Sequence, residues 1–173
     1  MNGLSKNELI RTLEIIDAAA RCNTREEFKE ALCLMKELVG ADYCIAAFGD
    51  MNWPQAFNII KCDYPSAWVN QYFEEKYYNI DPVVRYHRQY TMVFDWADSF
   101  RAFDGKKERG FLNEARSYGI KYGVTGGIYS PVSGMTSIVS FAHKNAIDAR
   151  YRRAIDRAAP HLHGALERVL KTM

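Results

Sequence analysis

The feature that most constrains the fold is the placement of short apolar segments of strand character, in pairs, inside a chain whose two ends are helical in period. Residues 43–48 and 56–61 flank the turn-rich break at 49–54 and read as a β-hairpin. Residues 123–129 and 136–143 flank a turn at 130–134 in the same way, and residues 92–95 suggest a further strand. In the first segment Tyr43, Ile45 and Ala47 alternate onto one face. Closely joined strands pair antiparallel, and helices on either side of them in sequence need a sheet face to cover. The expectation is an α+β chain: an α/β/α sandwich whose central antiparallel sheet of about five strands carries helices on both faces.

The helical segments have their own signals. Leu9, Leu13, Ile16 and Ala20 recur at helical spacing, as do Phe28, Ala31, Leu32, Met35 and Leu38. Thr24 and Glu27 form a capping box for the second run, and Gly40 supplies its end. Pro65 and Pro82 mark starts for helices at about 66–77 and 82–89. A polar loop then leads to a helix near 106–118, closed by Gly119, and residues 147–171 form a last helix that Pro160 should kink or split. No repeat or flexible linker divides the sequence, so residues 1–173 are expected to form one domain.

Bulk properties exclude several classes. The net charge is +2, and the basic residues, including Arg11, Lys61, Arg85, Arg109, Lys121, Arg150, Arg152 and Arg153, are scattered rather than gathered into a nucleic-acid footprint. No apolar run approaches the ~20 residues of a membrane helix, and the first ten residues mix Asn, Lys and Glu where a signal peptide would be apolar. A cytoplasmic protein is expected. The four cysteines, Cys22, Cys33, Cys44 and Cys62, form no CxxC pair, which argues against a zinc site or redox motif and favours free buried thiols. Neither a metal nor an organic cofactor is called for.

Some side chains carry chemistry beyond packing. Trp68 and Tyr72 are four apart on one helix face, an arrangement that suits core packing, yet a buried indole N–H also needs a carbonyl opposite it. Asp81 precedes Pro82 and reads as an N-cap, but a carboxylate facing a cavity would also select a ligand N–H. Tyr64 and Ser140 offer hydroxyls that suit a surface turn or an amide oxygen equally. Catalysis has little support: there is no GxSxG or HExxH motif, and His161 and His163 are two apart, pointing to different sides of a helix. Gly119, Gly123, Gly126 and Gly127 match neither the dinucleotide fingerprint nor the P-loop.

Taken in order, Tyr64-Pro65-Ser66-Ala67-Trp68, Tyr72, Asp81-Pro82-Val83-Val84, Phe94-Asp95-Trp96, Glu114-Ala115, Gly119-Ile120, Gly123-Val124-Thr125 and Ser140-Phe141 resemble the autoinducer-binding domain of LuxR-type quorum-sensing regulators across nearly the whole chain. The resemblance implies an enclosed N-acyl homoserine lactone bound without chemistry. Trp68 would bond the lactone carbonyl, Asp81 the amide N–H, and Tyr64 and Ser140 the amide carbonyl. It places Tyr72 and Trp96 around the lactone, and Ile45, Ala47, Val84, Phe111, Ala115, Ile120 and Ile138 along the acyl chain. It further implies homodimers and a DNA-binding helix-turn-helix domain, which this sequence does not contain. Such a chain would be either an excised sensor domain or a naturally short relative that acts by pairing with full-length regulators, whereas a lactonase or acylase would need a nucleophile, base or metal. The sequence departs from the family at Gly127, where Pro is usual, and in the loop at 130–136.

Overall fold

The computed structural model describes residues 3–90 and 93–171. Seven α-helices and five strands follow one another as α1 (Lys6–Arg21), α2 (Arg25–Leu38), β1 (Tyr43–Asp50), β2 (Asn58–Cys62), α3 (Ser66–Glu74), α4 (Pro82–Gln89), β3 (Phe94–Asp95), α5 (Trp96–Ala102), α6 (Lys106–Ser117), β4 (Tyr122–Tyr129), β5 (Met135–His143) and α7 (Ala149–Lys171) among the described residues. The strands form one antiparallel sheet in the order β2-β1-β5-β4-β3, so the two hairpins expected from sequence meet along β1 and β5.

Because strand side chains alternate, each strand serves both faces. Cys44, Ala46 and Phe48 of β1, with Val139 and Phe141 of β5, pack against α1, α2 and α7 in a core that includes Phe28, Leu32, Met35, Leu162 and Leu166. The opposite face gathers Tyr64, Trp68, Val83, Phe94, Trp96, Phe111, Ala115 and Ile120 from α3 to α6 and their connections. The α+β sandwich read from the sequence is the observed architecture.

Local signals account for the boundaries. The Thr24–Glu27 capping box is present in both directions. At the end of α6, Ile120 N–H donates to Ala115 O and Gly119 N–H to Arg116 O, the paired bonds of a Schellman motif. Gly119 has φ +81°, which an L side chain resists, and the turn sets Ile120 beside Ala115 on the same apolar wall.

Several expectations need correction. The inward face of α1 is Thr12, Ile15 and Ala19, while Leu9 and Leu13 are exposed. Both stripes have helical spacing, and the smaller one permits the close approach of α7. The second strand starts at Asn58, after a 3-10 turn at Pro54–Ala56. α3 stops at Glu74 because Lys76 adopts φ +54°, followed by a 3-10 turn at Tyr77–Asn79. The expected strand at 92–95 is only Phe94–Asp95, and Met92 lies outside the described residues. The stretch read as a polar loop contains α5, a helix too short to persist on propensity and held by burial of Trp96.

α7 is not split at Pro160. It runs unbroken because one face buries Ala154, Ile155, Ala158, Ala159, Leu162, Ala165, Leu166, Val169 and Leu170, and this packing outweighs the ~3 kcal/mol that an interior proline costs. The cysteines also differ from expectation. Cys22 and Cys44 are free and buried, but Cys33 of α2 and Cys62 of β2 form a disulfide with Cα atoms 5.8 Å apart. Their separation of 29 residues carries no sequence signal; the packing of α2 over β2 brings them together.

Candidate functional site

Between the sheet and α3 to α6 lies a cavity with about 970 Å³ of empty space, part of it continuous with solvent. All thirteen residues singled out from the sequence line it: Ile45, Ala47, Tyr64, Trp68, Tyr72, Asp81, Val84, Trp96, Phe111, Ala115, Ile120, Ile138 and Ser140. The wall also includes Met51, Pro54, Phe57, Ile59, Val69, Phe73, Tyr78, Val83, Phe100 and Leu112, which sequence reasoning missed. Val69 and Phe73 had a usable signal, since they share an i, i+4 face of α3 beside Trp68 and Tyr72. Phe100 is likewise four residues from Trp96, hidden because α5 was read as a loop. Met51, Pro54 and Phe57 lie in and after the hairpin connection, where periodicity offers nothing.

Trp68 is almost fully buried. Its ring packs on Tyr77, Phe111 and Tyr118 at centroid distances of 5.6, 5.6 and 5.4 Å. Tyr118 is itself oriented by its hydroxyl, which donates to Gln71 Oε1 at 2.8 Å. The Trp68 indole N–H has no acceptor among the described residues, so the enclosure fixes the ring while leaving its one donor unused. The Tyr64 hydroxyl is also without a partner there.

Asp81 has both roles that the sequence left open. Its Oδ1 accepts the Val83 N–H at 2.8 Å as the N-cap of α4, and its Oδ2 accepts the Tyr72 hydroxyl at 2.8 Å. Removal from water pushes its carboxyl up to about 6, against the lowering effect of these hydrogen bonds. Burial, reinforced by the Asp81 charge, raises the Tyr64 and Tyr72 phenols, so both remain protonated donors at neutral pH. An ionised carboxylate retains lone pairs beyond the two already engaged.

A second polar group sits on the sheet. The Trp96 Nε1–H donates to Thr125 Oγ1 at 2.8 Å, and Thr125 Oγ1 lies 2.6 Å from Ser140 Oγ. Gly123 makes this possible: a Cβ there would fall 2.2 Å from Trp96 Cε2, so only glycine lets the indole lie against β4. The two hydroxyls have two hydrogens, one of which closes the bond between them. When Thr125 donates to Ser140, the Ser140 hydrogen is left for the cavity that Ser140 lines. Thr125 was part of the sequence motif but had no assigned role there.

The remaining titratable clusters lie elsewhere. On the packed face Ser137 Oγ hydrogen-bonds His163 Nδ1, and His163 Nε2 is 3.8 Å from Glu167 Oε2. Ser137 is fully buried and also accepts the Ile128 N–H, so no acyl carbonyl can approach it. His161 is exposed while His163 is partly buried, as their spacing implies. No group of three or more His, Cys, Asp or Glu side chains suited to a metal occurs among the described residues. No helix among them is long and apolar enough to cross a membrane.

A sheet sealed on one face and roofed on the other by short helices over an apolar cavity with a few convergent polar groups defines a small-molecule receptor domain. The chain belongs to the autoinducer binding domain family, which matches residues 24–166, and is thus the signal-binding portion characteristic of LuxR-type quorum-sensing regulators. Relatives include the transcriptional activator RaiR of Rhizobium etli, 30% identical over 158 residues covering 87% of this chain and 61% of RaiR. The transcriptional activator TraR of Rhizobium radiobacter is 32% identical over 98 residues, covering 56% of this chain and 41% of TraR. The chain therefore spans less than two thirds of the length of either relative. Among solved structures, the N-acylhomoserine lactone-dependent LuxR family factor CepR2 of Burkholderia cenocepacia superimposes with a TM-score of 0.73 at 21% identity, over 95% of this chain and 96% of that one. SdiA in complex with octanoyl-rac-glycerol gives 0.70 at 20% identity, over 95% and 68%. These two show a shared fold.

Proposed function

We propose that this chain is a single ligand-sensing domain that encloses an N-acyl homoserine lactone without transforming it. The observation that carries the reading is the convergence, in one apolar cavity, of two unpartnered donors, Trp68 N–H and Tyr64 O–H, with the Asp81 carboxylate and the Ser140 hydroxyl. An acylated amino-lactone is the complement: a ring carbonyl for Trp68, an amide N–H for Asp81, and an amide carbonyl for Tyr64 and Ser140. Tyr72 holds the Asp81 carboxylate in place, and Trp96 orients the Thr125–Ser140 pair.

The wider activity that fits is cytoplasmic, signal-dependent control of transcription by a homodimer, with DNA contacted by a separate helix-turn-helix domain. A protein comprising the sensing domain alone would act instead by pairing with full-length regulators. The octanoylglycerol bound by SdiA lacks an amide N–H, but its hydroxyls are donors that Asp81 would also accept. Both chemistries belong in one thermal-shift series. Stabilisation by at least one acyl homoserine lactone, by mass action on the folded state, is the expected result. No stabilisation by any of them, with a shift by octanoylglycerol, would replace the lactone with an acyl ester as the ligand.

A further inference from the structure

The cavity floor changes character along the strands. The row Lys61–Ile45–Ser140–Thr125–Phe94 brings both sheet hydroxyls to the head-group end, with the Lys61 ammonium donating to Tyr64 O and Ser66 Oγ and lying outside the cavity lining. Two residues further along each strand, roughly 7 Å away, the row Ile59–Ala47–Ile138–Gly127 contains no polar side chain. Beyond it the wall is completed by Met51, Pro54 and Phe57, with Val69 and Phe73 opposite on α3. Phe57 lies against Gly49, where an added Cβ would meet its ring at 2.6 Å, so the aromatic is seated directly on the backbone of β1.

Every polar group near the junction of the two rows already has a role. Trp96 N–H is held by Thr125, the Thr125–Ser140 pair has one free hydrogen, Tyr72 is held by Asp81, and Tyr64 faces the same head group. Tyr78 contributes the wall's other hydroxyl, from beside Tyr72 and Phe73 rather than from the sheet. The carbon β to the amide carbonyl would lie just past Ser140, over the start of the apolar row. An oxygen there would be desolvated without a donor of its own.

We propose that this cavity is selective for an acyl chain unsubstituted at the carbon β to the amide, and discriminates against β-keto chains through the apolar row Ile59–Ala47–Ile138–Gly127. The inference rests on the acyl-lactone reading and specifies the class of signal.

The test is competition at equal chain length between N-octanoyl homoserine lactone and its β-keto counterpart, by titration calorimetry on the intact chain. The expected result is weaker binding of the β-keto compound by roughly tenfold or more. Equal or tighter binding of the β-keto compound overturns the proposal. Failure of both to bind sinks the acyl-lactone reading itself, so the two failures are distinguishable. Ala47→Ser places a hydroxyl in the apolar row with little change of volume, and should narrow the ratio severalfold in favour of the β-keto chain. An unchanged ratio in that folded variant would also overturn the assignment of selectivity to the row.

Discussion

The two faces of the sheet use the same strands, and adjacent residues, to opposite ends. On β5, Val139 and Phe141 are buried against α2 and α7 in close packing, whereas Ile138 and Ser140, one position away, border empty space. The helices differ accordingly. α2 and α7 have long apolar faces that match the sheet, while α3 to α6 are short and divided by turns such as that at Lys76. The long helices supply the burial that stabilises the chain, and the interrupted ones leave a cavity. The sharpest way to break this division of labour is to truncate neighbours on opposite faces. Phe141→Ala should cost about 3–5 kcal/mol, because packed surroundings collapse poorly into the void. Ile138→Ala should cost on the order of 1 kcal/mol or less in ligand-free protein, since it enlarges a cavity that already exists. Equilibrium urea denaturation reads both, and equal losses would contradict the distinction.

Electrostatics distinguishes the faces next. Among the described residues the packed face holds no buried carboxylate, whereas the cavity face holds Asp81, whose folded pKa of about 6 lies above its ordinary value of 3.8. Below the lower value both folded and unfolded chains carry the proton, and stability is indifferent to pH. Between the two values only the folded chain retains it, so the Asp81 contribution to ligand-free stability falls as pH rises. Above about 6 the penalty is complete, on the order of 3 kcal/mol for a buried group shifted this far. Asp81→Asn should remove this contribution, leaving stability more favourable at neutral pH relative to pH 4 than in the wild type, and retain the ligand-free fold, since its side-chain oxygen still caps α4 or meets Tyr72. It should also lose at least tenfold in acyl-lactone affinity, because an amide donor would face the ligand N–H. Denaturation at pH 4, 5, 6 and 7, paired with ligand titration, checks both parts. His87, which burial lowers to about 4, titrates over the same range with the opposite sign, so the Asp81 contribution is read as the difference between wild type and variant, and identical pH profiles for the two would remove Asp81 as a source of pH dependence.

The same contrast explains what could be read from the sequence. α2 was legible to the residue, since its capping box, apolar stripe and terminal glycine are all local. The polar part of the cavity wall was legible through ordered motifs, since Tyr64, Trp68, Asp81 and Ser140 were named together from the sequence and all four line it. The rest of the cavity was not. Phe57 and Met51 reach the wall through the conformation of a hairpin connection, and Phe100 through a helix that only tertiary contacts stabilise. The disulfide was illegible for the same reason: Cys33 and Cys62 meet only once α2 lies on the sheet. The face of α1 was misjudged because two apolar stripes compete, and the partner helix decides between them.

The smallest expected effect is the most specific to the cavity face. Trp68→Phe keeps an aromatic ring among Tyr77, Phe111 and Tyr118 but removes an N–H that opens on the cavity and has no acceptor among the described residues. The lost ring area borders existing empty space and no protein hydrogen bond is broken, so ligand-free stability should change by about 1 kcal/mol or less. With ligand, the variant would lack the bond proposed between Trp68 and the lactone carbonyl, and affinity should fall by roughly fivefold, about 1 kcal/mol. On the packed face no such separation is available, because there a truncation lowers stability with or without ligand. Paired denaturation and titration of Trp68→Phe therefore test whether the indole belongs to recognition or to packing: unchanged affinity in a folded variant would remove it from the head-group site, and a stability loss near that of Phe141→Ala would return it to the core.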